Sequence, residues 1–396
     1  MKVVSEQVQR MAATIAPLIR FQAESGYEER KSEPSACDFC FGNPQEMPLP
    51  EIGRAIARHA EPAHKDWYAY TFSDPTAVAV VTQSLRRRHG IDFDPADVSL
   101  TNGAFGAIAA TLRAVCDPGD EVLYLSPPWF FYEAMIMATG ASPVRIDLAP
   151  PIFELPVDAI AAAISPATRA IIVNSPHNPS GRIYREEELV RLAAVLERAS
   201  ETFGRPVYLL SDEAYSRIVY EEAAFVTPLR HYRRAILLYT YGKTLLTPGQ
   251  RIGYIALPPN MPSREQVRDA IFAAQAVTGY AFPNAVMQYA LADLEPLAID
   301  VFALQRRRDR IVEALTEMGY ECVRPEGTFY VLVRSPIPDE WALVDRLARD
   351  GVFVLPGELF QLRGWFRISL TANDEMVERA LPAFARARAD VLQAVG

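Results

Sequence analysis

A chain of 396 residues, half of them apolar, exceeds what one ordinary core holds, so two domains are expected. With 22% charged and 10% aromatic residues the chain is not a disordered one, and a net charge of -9 argues against nucleic acid or an anionic membrane as partner. No apolar run approaches the roughly 20 residues that cross a bilayer.

The opening stretch "MKVVSEQVQRMAATIAPLIRF" interrupts its apolar residues with Glu6, Gln7, Gln9 and Arg10. It reads as an amphipathic helix rather than a signal peptide, and a cytoplasmic protein is expected. Cys37 and Cys40 form a C-x-x-C, but Cys116 and Cys322 are isolated, so no second pair completes a metal site. Packed, reduced thiols are the reading, and no metal is expected. Residues 25–50 are irregular, with "GNPQEMPLP" as a loop.

From about 51 to 260 short apolar runs alternate with helical patterns. The runs are "EVLYLS" (121–126), "RAIIVNS" (169–175), "PVYLLSD" (206–212), "AILLYTY" (235–241) and "RIGYIAL" (251–257), with "REEELVRLAAVLERAS" (185–200) among the helices. Buried strands alternating with helices predict an α/β fold with a mainly parallel sheet covered on both faces. Helices then dominate, including a long one around 296–318. Strands return at "TFYVLV" (328–333) and "FRISL" (366–370), and a last helix starts at Asn373. The expected division is an N-terminal arm (1–50) packing on the small domain, a large domain (51–295), and a smaller α/β C-terminal domain (296–396).

Three polar clusters each follow a buried strand: "NSPHNPSGRIY", "DEAY" and "TYGKT". Ligands of open α/β sheets sit outside the carboxyl ends of the strands, so the three point to one site. A phosphate loop, G-x-x-x-x-G-K-S/T, would need a glycine at 237, where Leu237 stands. Lys243 instead has an apolar strand before it, Pro248 and Gly249 after it, and Arg251 opening the next strand. A lysine so placed can attack a carbonyl as a Schiff-base nucleophile, and an arginine can hold a phosphate by two parallel hydrogen bonds. Asp212, at the end of "VYLLS", suits a cationic ring as counter-ion. These are the needs of pyridoxal 5'-phosphate.

The chain resembles class I/II aminotransferases of the aspartate aminotransferase fold (fold type I), over about residues 38–385. "NSPHNPSG" is similar to the family's N-x-x-x-N-P-T/S-G, "SDEAY" to its D-x-x-Y, and "TYGKTLLTPGQRIGY" to its S/T-x-x-K-x(7)-R-x-G. "PEGTFYV" and "FRISLT" resemble its C-terminal signatures. The resemblance implies a pyridoxal-phosphate enzyme that moves an amino group between an α-amino acid and a 2-oxo acid through a Lys243 Schiff base.

The resemblance also implies site roles. Lys243, Asp212 and Tyr215 are the catalytic set, with Asp212 on the ring nitrogen and Asn178 and Tyr215 on the ring oxygen. Arg251, Thr240 and the N–H groups of Ala104 and Phe105 bind phosphate, and Trp129 stacks on the ring. Tyr68 reaches the phosphate of a neighbouring subunit, which implies a homodimer with shared sites. Arg367 grips the substrate carboxylate, assisted by Asn178, and Gly42 touches substrate. Gly242, Ser73, Ala104 and Gln250 depart from residues common at these positions. A lyase, synthase or oxidative enzyme using the same cofactor is the alternative.

Overall fold

The computed structural model describes residues 3–221 and 223–395. Its strands in chain order are β1 (Cys37–Asp38), β2 (Val98–Thr101), β3 (Glu121–Ser126), β4 (Ser142–Asp147), β5 (Thr168–Asn174), β6 (Tyr208–Asp212), β7 (Ala235–Thr240), β8 (Gly253–Ala256), β9 (Glu321–Val323), β10 (Tyr330–Arg334), β11 (Val352–Phe353), β12 (Leu355–Pro356) and β13 (Trp365–Ser369). Seven of them form one sheet in the order β2-β8-β7-β6-β5-β3-β4. Strands β3 to β7 run parallel, and β8 alone is reversed between β7 and β2.

Alternate residues of the central strands enter two separate cores. Ile172, Leu210, Ile236 and Leu238 join one cluster with the helix Gly103–Val115. Ile171, Val173, Leu209 and Leu237 join the other, which continues into the C-terminal part of the chain. Both faces are therefore covered, as the unbroken apolar runs predicted. Each such side chain contributes about 1.5–3 kcal/mol by leaving water.

The sequence reading found five of the seven strands and missed the short β2 and the edge strand β4. In β4, "SPVRID", only Ile146 is fully buried, so Pro143 and Arg145 mask its pattern. The predicted N-terminal helix is two helices, Glu6–Thr14 and Ala16–Glu24, since Pro17 sits in the first turn of the second and cannot continue the first. Residues 1 and 2 lie outside the described ones.

A second sheet, β12-β13-β10-β9, is antiparallel throughout. β1 pairs in parallel with β11, and Tyr27 packs edge-on against Phe353. The N-terminal arm is thus tied to the C-terminal part of the chain. The helices Val301–Glu317 and Asp374–Val395 pack against each other beside this sheet.

Candidate active site

Sheet register brings the predicted strand-end residues together. Asn174 at the end of β5 lies opposite Asp212 at the end of β6, and Asp212 opposite Leu238 of β7. Two residues later Thr240 ends β7, and the turn Tyr241–Thr244 carries Lys243. A cavity of about 220 Å³ opens here, lined by Gly42, Ala104, Phe105, Trp129, Asn178, Asp212, Tyr215, Thr240, Lys243, Arg251 and Arg367 among others.

The amine of Lys243 has no hydrogen bond or ion pair among the described residues. It lies 5.7 Å from the ring centroids of Tyr215 and of Phe329. Asp212 is buried; it accepts the Tyr132 hydroxyl and, at 3.2 Å, the N–H of Ala214. Burial pushes its carboxyl above the usual range, against the pull of those donors and of Lys243. A carboxylate in that state is suited to a cationic partner.

At the other end of the cavity the helix Gly103–Val115 begins without a side-chain cap. Gly103 has φ +76°, and a Cβ there would come within 2.9 Å of the Arg251 guanidinium and 3.3 Å of Thr240 Oγ1. Arg251 donates only to carbonyls, of Pro248 at 2.7 Å and Asn102 at 3.2 Å, with no carboxylate partner among the described residues. Free N–H groups, a hydroxyl and a guanidinium around a glycine form an anion cradle.

Arg367, on β13, is 3% exposed. It donates to Asn178 Oδ1 at 3.0 Å and to the Cys40 carbonyl at 2.9 Å, and its carbon lies 3.8 Å from the Tyr330 ring centroid. Its Nε has no hydrogen-bond partner among the described residues. Gly42 is the only residue type that fits its place, because a Cβ would meet Phe329 at 2.5 Å and the Tyr330 hydroxyl at 2.9 Å.

Tyr68 is not in the cavity of its own chain. It is 61% exposed and donates to the Ala60 carbonyl.

Sequence reasoning missed Tyr132 and Tyr330. Tyr132 sits in the aromatic run "PPWFFY", of which only Trp129 has a role in the sequence reading. The Tyr330 hydroxyl accepts from Tyr215 at 3.4 Å. Burial pushes it up, yet Arg367, Lys243 and that hydrogen bond together hold it below the ordinary tyrosine value. A hydroxyl in an otherwise apolar strand was the available signal.

Next to Asp212, Glu213 is buried and accepts from Thr227 at 2.6 Å and Ser211 at 3.0 Å. Burial pushes its carboxyl from 4.5 up to about 7, against those donors and Arg88, while the Asp212 charge pushes the same way. His89 lies 3.7 Å away, but burial and the charges of Arg88 and Arg230 push it down to about 3, so the contact is not an ion pair near neutral pH. An acid raised on folding takes up protons, so the native state is favoured below pH 4.5 and loses that advantage as pH rises through about 7. Glu213→Gln, which keeps the acceptor oxygen, is expected to be indistinguishable from wild type near pH 4 and more stable by about 3 kcal/mol at pH 8. Urea midpoints across that range measure it.

A family model described as aminotransferase class I and II matches residues 35–384. The aspartate/prephenate aminotransferase of Thermus thermophilus is 32% identical over 98% of this chain and 99% of its own length. The aspartate aminotransferase of Thermotoga maritima is 30% identical over 78% of this chain and 81% of its own. Among solved structures, an aminotransferase from Eubacterium rectale superposes with a TM-score of 0.89 at 27% identity, covering 98% of this chain and 99% of that one. Thermus thermophilus aspartate aminotransferase superposes with a TM-score of 0.83 at 28% identity, covering 98% and 100%.

Proposed function

The chain belongs to the class I and II aminotransferases, pyridoxal-phosphate enzymes that transfer an amino group between an α-amino acid and a 2-oxo acid, and from that premise we propose the roles of its residues. The observation that carries the assignment is Lys243, an amine without hydrogen-bond or ion-pair partner among the described residues, in the same cavity as the buried Asp212. Lys243 would hold the cofactor aldehyde as a Schiff base. Asp212, whose carboxyl burial has raised, fits a protonated ring nitrogen. The uncapped helix start at Ala104 and Phe105, with Thr240 and Arg251, fits the phosphate. Trp129 would cover one face of the ring. When bound, the cofactor supplies an electron sink for the charge left by α-proton removal.

The protein's own residues do the rest. Arg367 would hold the substrate carboxylate with the guanidinium donors that Asn178 and the Cys40 carbonyl leave free. Asn178 steadies Arg367, and Gly42 lets the loop lie close. With the carboxylate anchored there, the Lys243 amine, once displaced from the cofactor by the substrate's own amino group, would take the proton from the substrate α-carbon and return it to the cofactor carbon that had carried the aldehyde. Tyr215, hydrogen-bonded to Tyr330, would hold the ring oxygen together with Asn178.

The proposed assembly is a homodimer. Tyr70, Phe72, Phe272 and Phe282 are exposed and pack as a chain of tilted rings with centroids 4.6–4.7 Å apart, a patch suited to burial by a second copy. Tyr68, in the same stretch as Tyr70 and Phe72, would reach the partner's phosphate site. The proposed division into an arm (1–50), a large domain (51–295) and a small domain (296–396) would give the seven-stranded sheet to the large domain, the four-stranded sheet to the small one, and the β1–β11 pair to the arm and the small domain together. No helix among the described residues is long and apolar enough to cross a membrane. The acidic charge and the absence of disulfides among the described residues are in keeping with a cytoplasmic location.

The test is direct. Incubation with pyridoxal phosphate should give a coloured protein, and borohydride should fix the vitamer on Lys243, read by peptide mass. An amino acid should bleach the colour and a 2-oxo acid restore it. Labelling at another lysine would reject Lys243 as the anchor.

A further inference from the structure

We propose that this site takes amino acids with large apolar or aromatic side chains and disfavours those with a second carboxylate; the inference rests on the aminotransferase reading and names its substrate class. Phe41, Phe105, Ile108 and Phe130 line the same cavity as Lys243 and Arg367. Their rings are braced. Phe105 stands edge-on to Trp129 at 4.8 Å, Phe130 lies 4.7 Å from Phe131, and Phe41 is held edge-on by Phe21 at 5.9 Å and Tyr27 at 5.6 Å. A preformed apolar wall favours an apolar side chain without reordering.

The charges point the same way. Among the described residues the cations lining the cavity are Lys243, Arg251 and Arg367, and no histidine lines it. In the assignment above, these serve the aldehyde, the phosphate and the α-carboxylate. No cation is left for a carboxylate at the end of a substrate side chain. Asn174 is engaged by Asp212 and Asn178, and Asn178 by Arg367, so Asn43 at the lip is the remaining amide. A carboxylate pressed against this wall would lose its water with almost nothing in return.

The rim does not supply the missing charge. Tyr280 backs onto Gly106, and its carbonyl takes the Asn102 amide at 3.4 Å. The surrounding run 269–305 contains no Lys, Arg or His, nor does 66–72. A second copy docked on the exposed aromatic patch would border the site with rings rather than with bases.

The experiment uses the enzyme loaded with its cofactor and follows the half-reaction, so no 2-oxo acid enters the comparison. The kcat/KM for bleaching is expected to be at least about a hundredfold higher with phenylalanine than with aspartate, because burying an ionised carboxylate without a partner costs far more than burying a neutral polar group. In parallel, 3-phenylpropanoate should compete at least about tenfold more tightly than succinate. Phe130→Ala should lower the phenylalanine-to-alanine ratio of kcat/KM by about tenfold or more. Aspartate bleaching the cofactor as well as phenylalanine would overturn the inference and leave the aminotransferase reading standing. No bleaching by any of the amino acids would bring down both.

Discussion

Lys243→Ala is expected to lower the half-reaction rate by at least about ten-thousand-fold, the upper range of what a positioned acid–base group contributes. The loss has two sources, since the same amine anchors the cofactor and moves the α-proton. It is not a folding effect. Lys243 lies in a short turn whose start is capped by Thr240, and its amine has no hydrogen bond or ion pair to lose among the described residues. The variant should therefore keep wild-type thermal stability when both proteins are free of cofactor. It should still bind pyridoxal phosphate through Arg251, Thr240 and Asp212, but release it on dialysis and resist borohydride fixation. A variant that bleaches with an amino acid at the wild-type rate would remove Lys243 from the chemistry.

Asp212→Asn is the second large effect, on the order of a thousandfold in the same half-reaction, comparable to removing one preorganised charge from an enclosed site. The amide has nearly the shape of the carboxylate, so the sheet register Asn174–Asp212 and the Ala214 contact can persist. What disappears is the negative charge that would keep the ring nitrogen protonated. Because burial already disfavours that charge in the free protein, the variant should be at least as stable as wild type while much slower. Slow half-reactions in a well-folded, cofactor-retaining variant are the expected signature. A variant that is slow only because it has shed its cofactor would mean that Asp212 acts in binding alone.

The central sheet was legible because its strands are buried on both faces, and such strands carry unbroken runs such as "AIIVN" and "AILLYT". The strand-end residues Asp212, Lys243 and Asn178 were legible for a related reason: polar residues directly after such runs have one place to go. Edge strands fail this test, and β4 was lost because half-exposed residues interrupt its pattern. The contacts that complete the site lie far apart in sequence. Tyr132 reaches Asp212, Tyr330 meets Tyr215, and the Cys40 carbonyl holds Arg367. No spacing rule reports such meetings, because they depend on how two sheets and an N-terminal arm come together. The aromatic wall was half visible: its residues were counted as aromatic, but only the cavity brings Phe105 and Phe130 together in its lining.

Arg367 is gripped from two sides, by Asn178 of the loop that follows β5 and by the Cys40 carbonyl of the N-terminal arm, while it belongs to β13 of the antiparallel sheet. A decarboxylated amine of the same shape as a good substrate would fill the aromatic wall equally well, yet leave this enclosed guanidinium without an anion to pair with. On the proposed reading phenethylamine would bind far more weakly than phenylalanine, so the two contacts that fix Arg367 would also make it a filter against free amines.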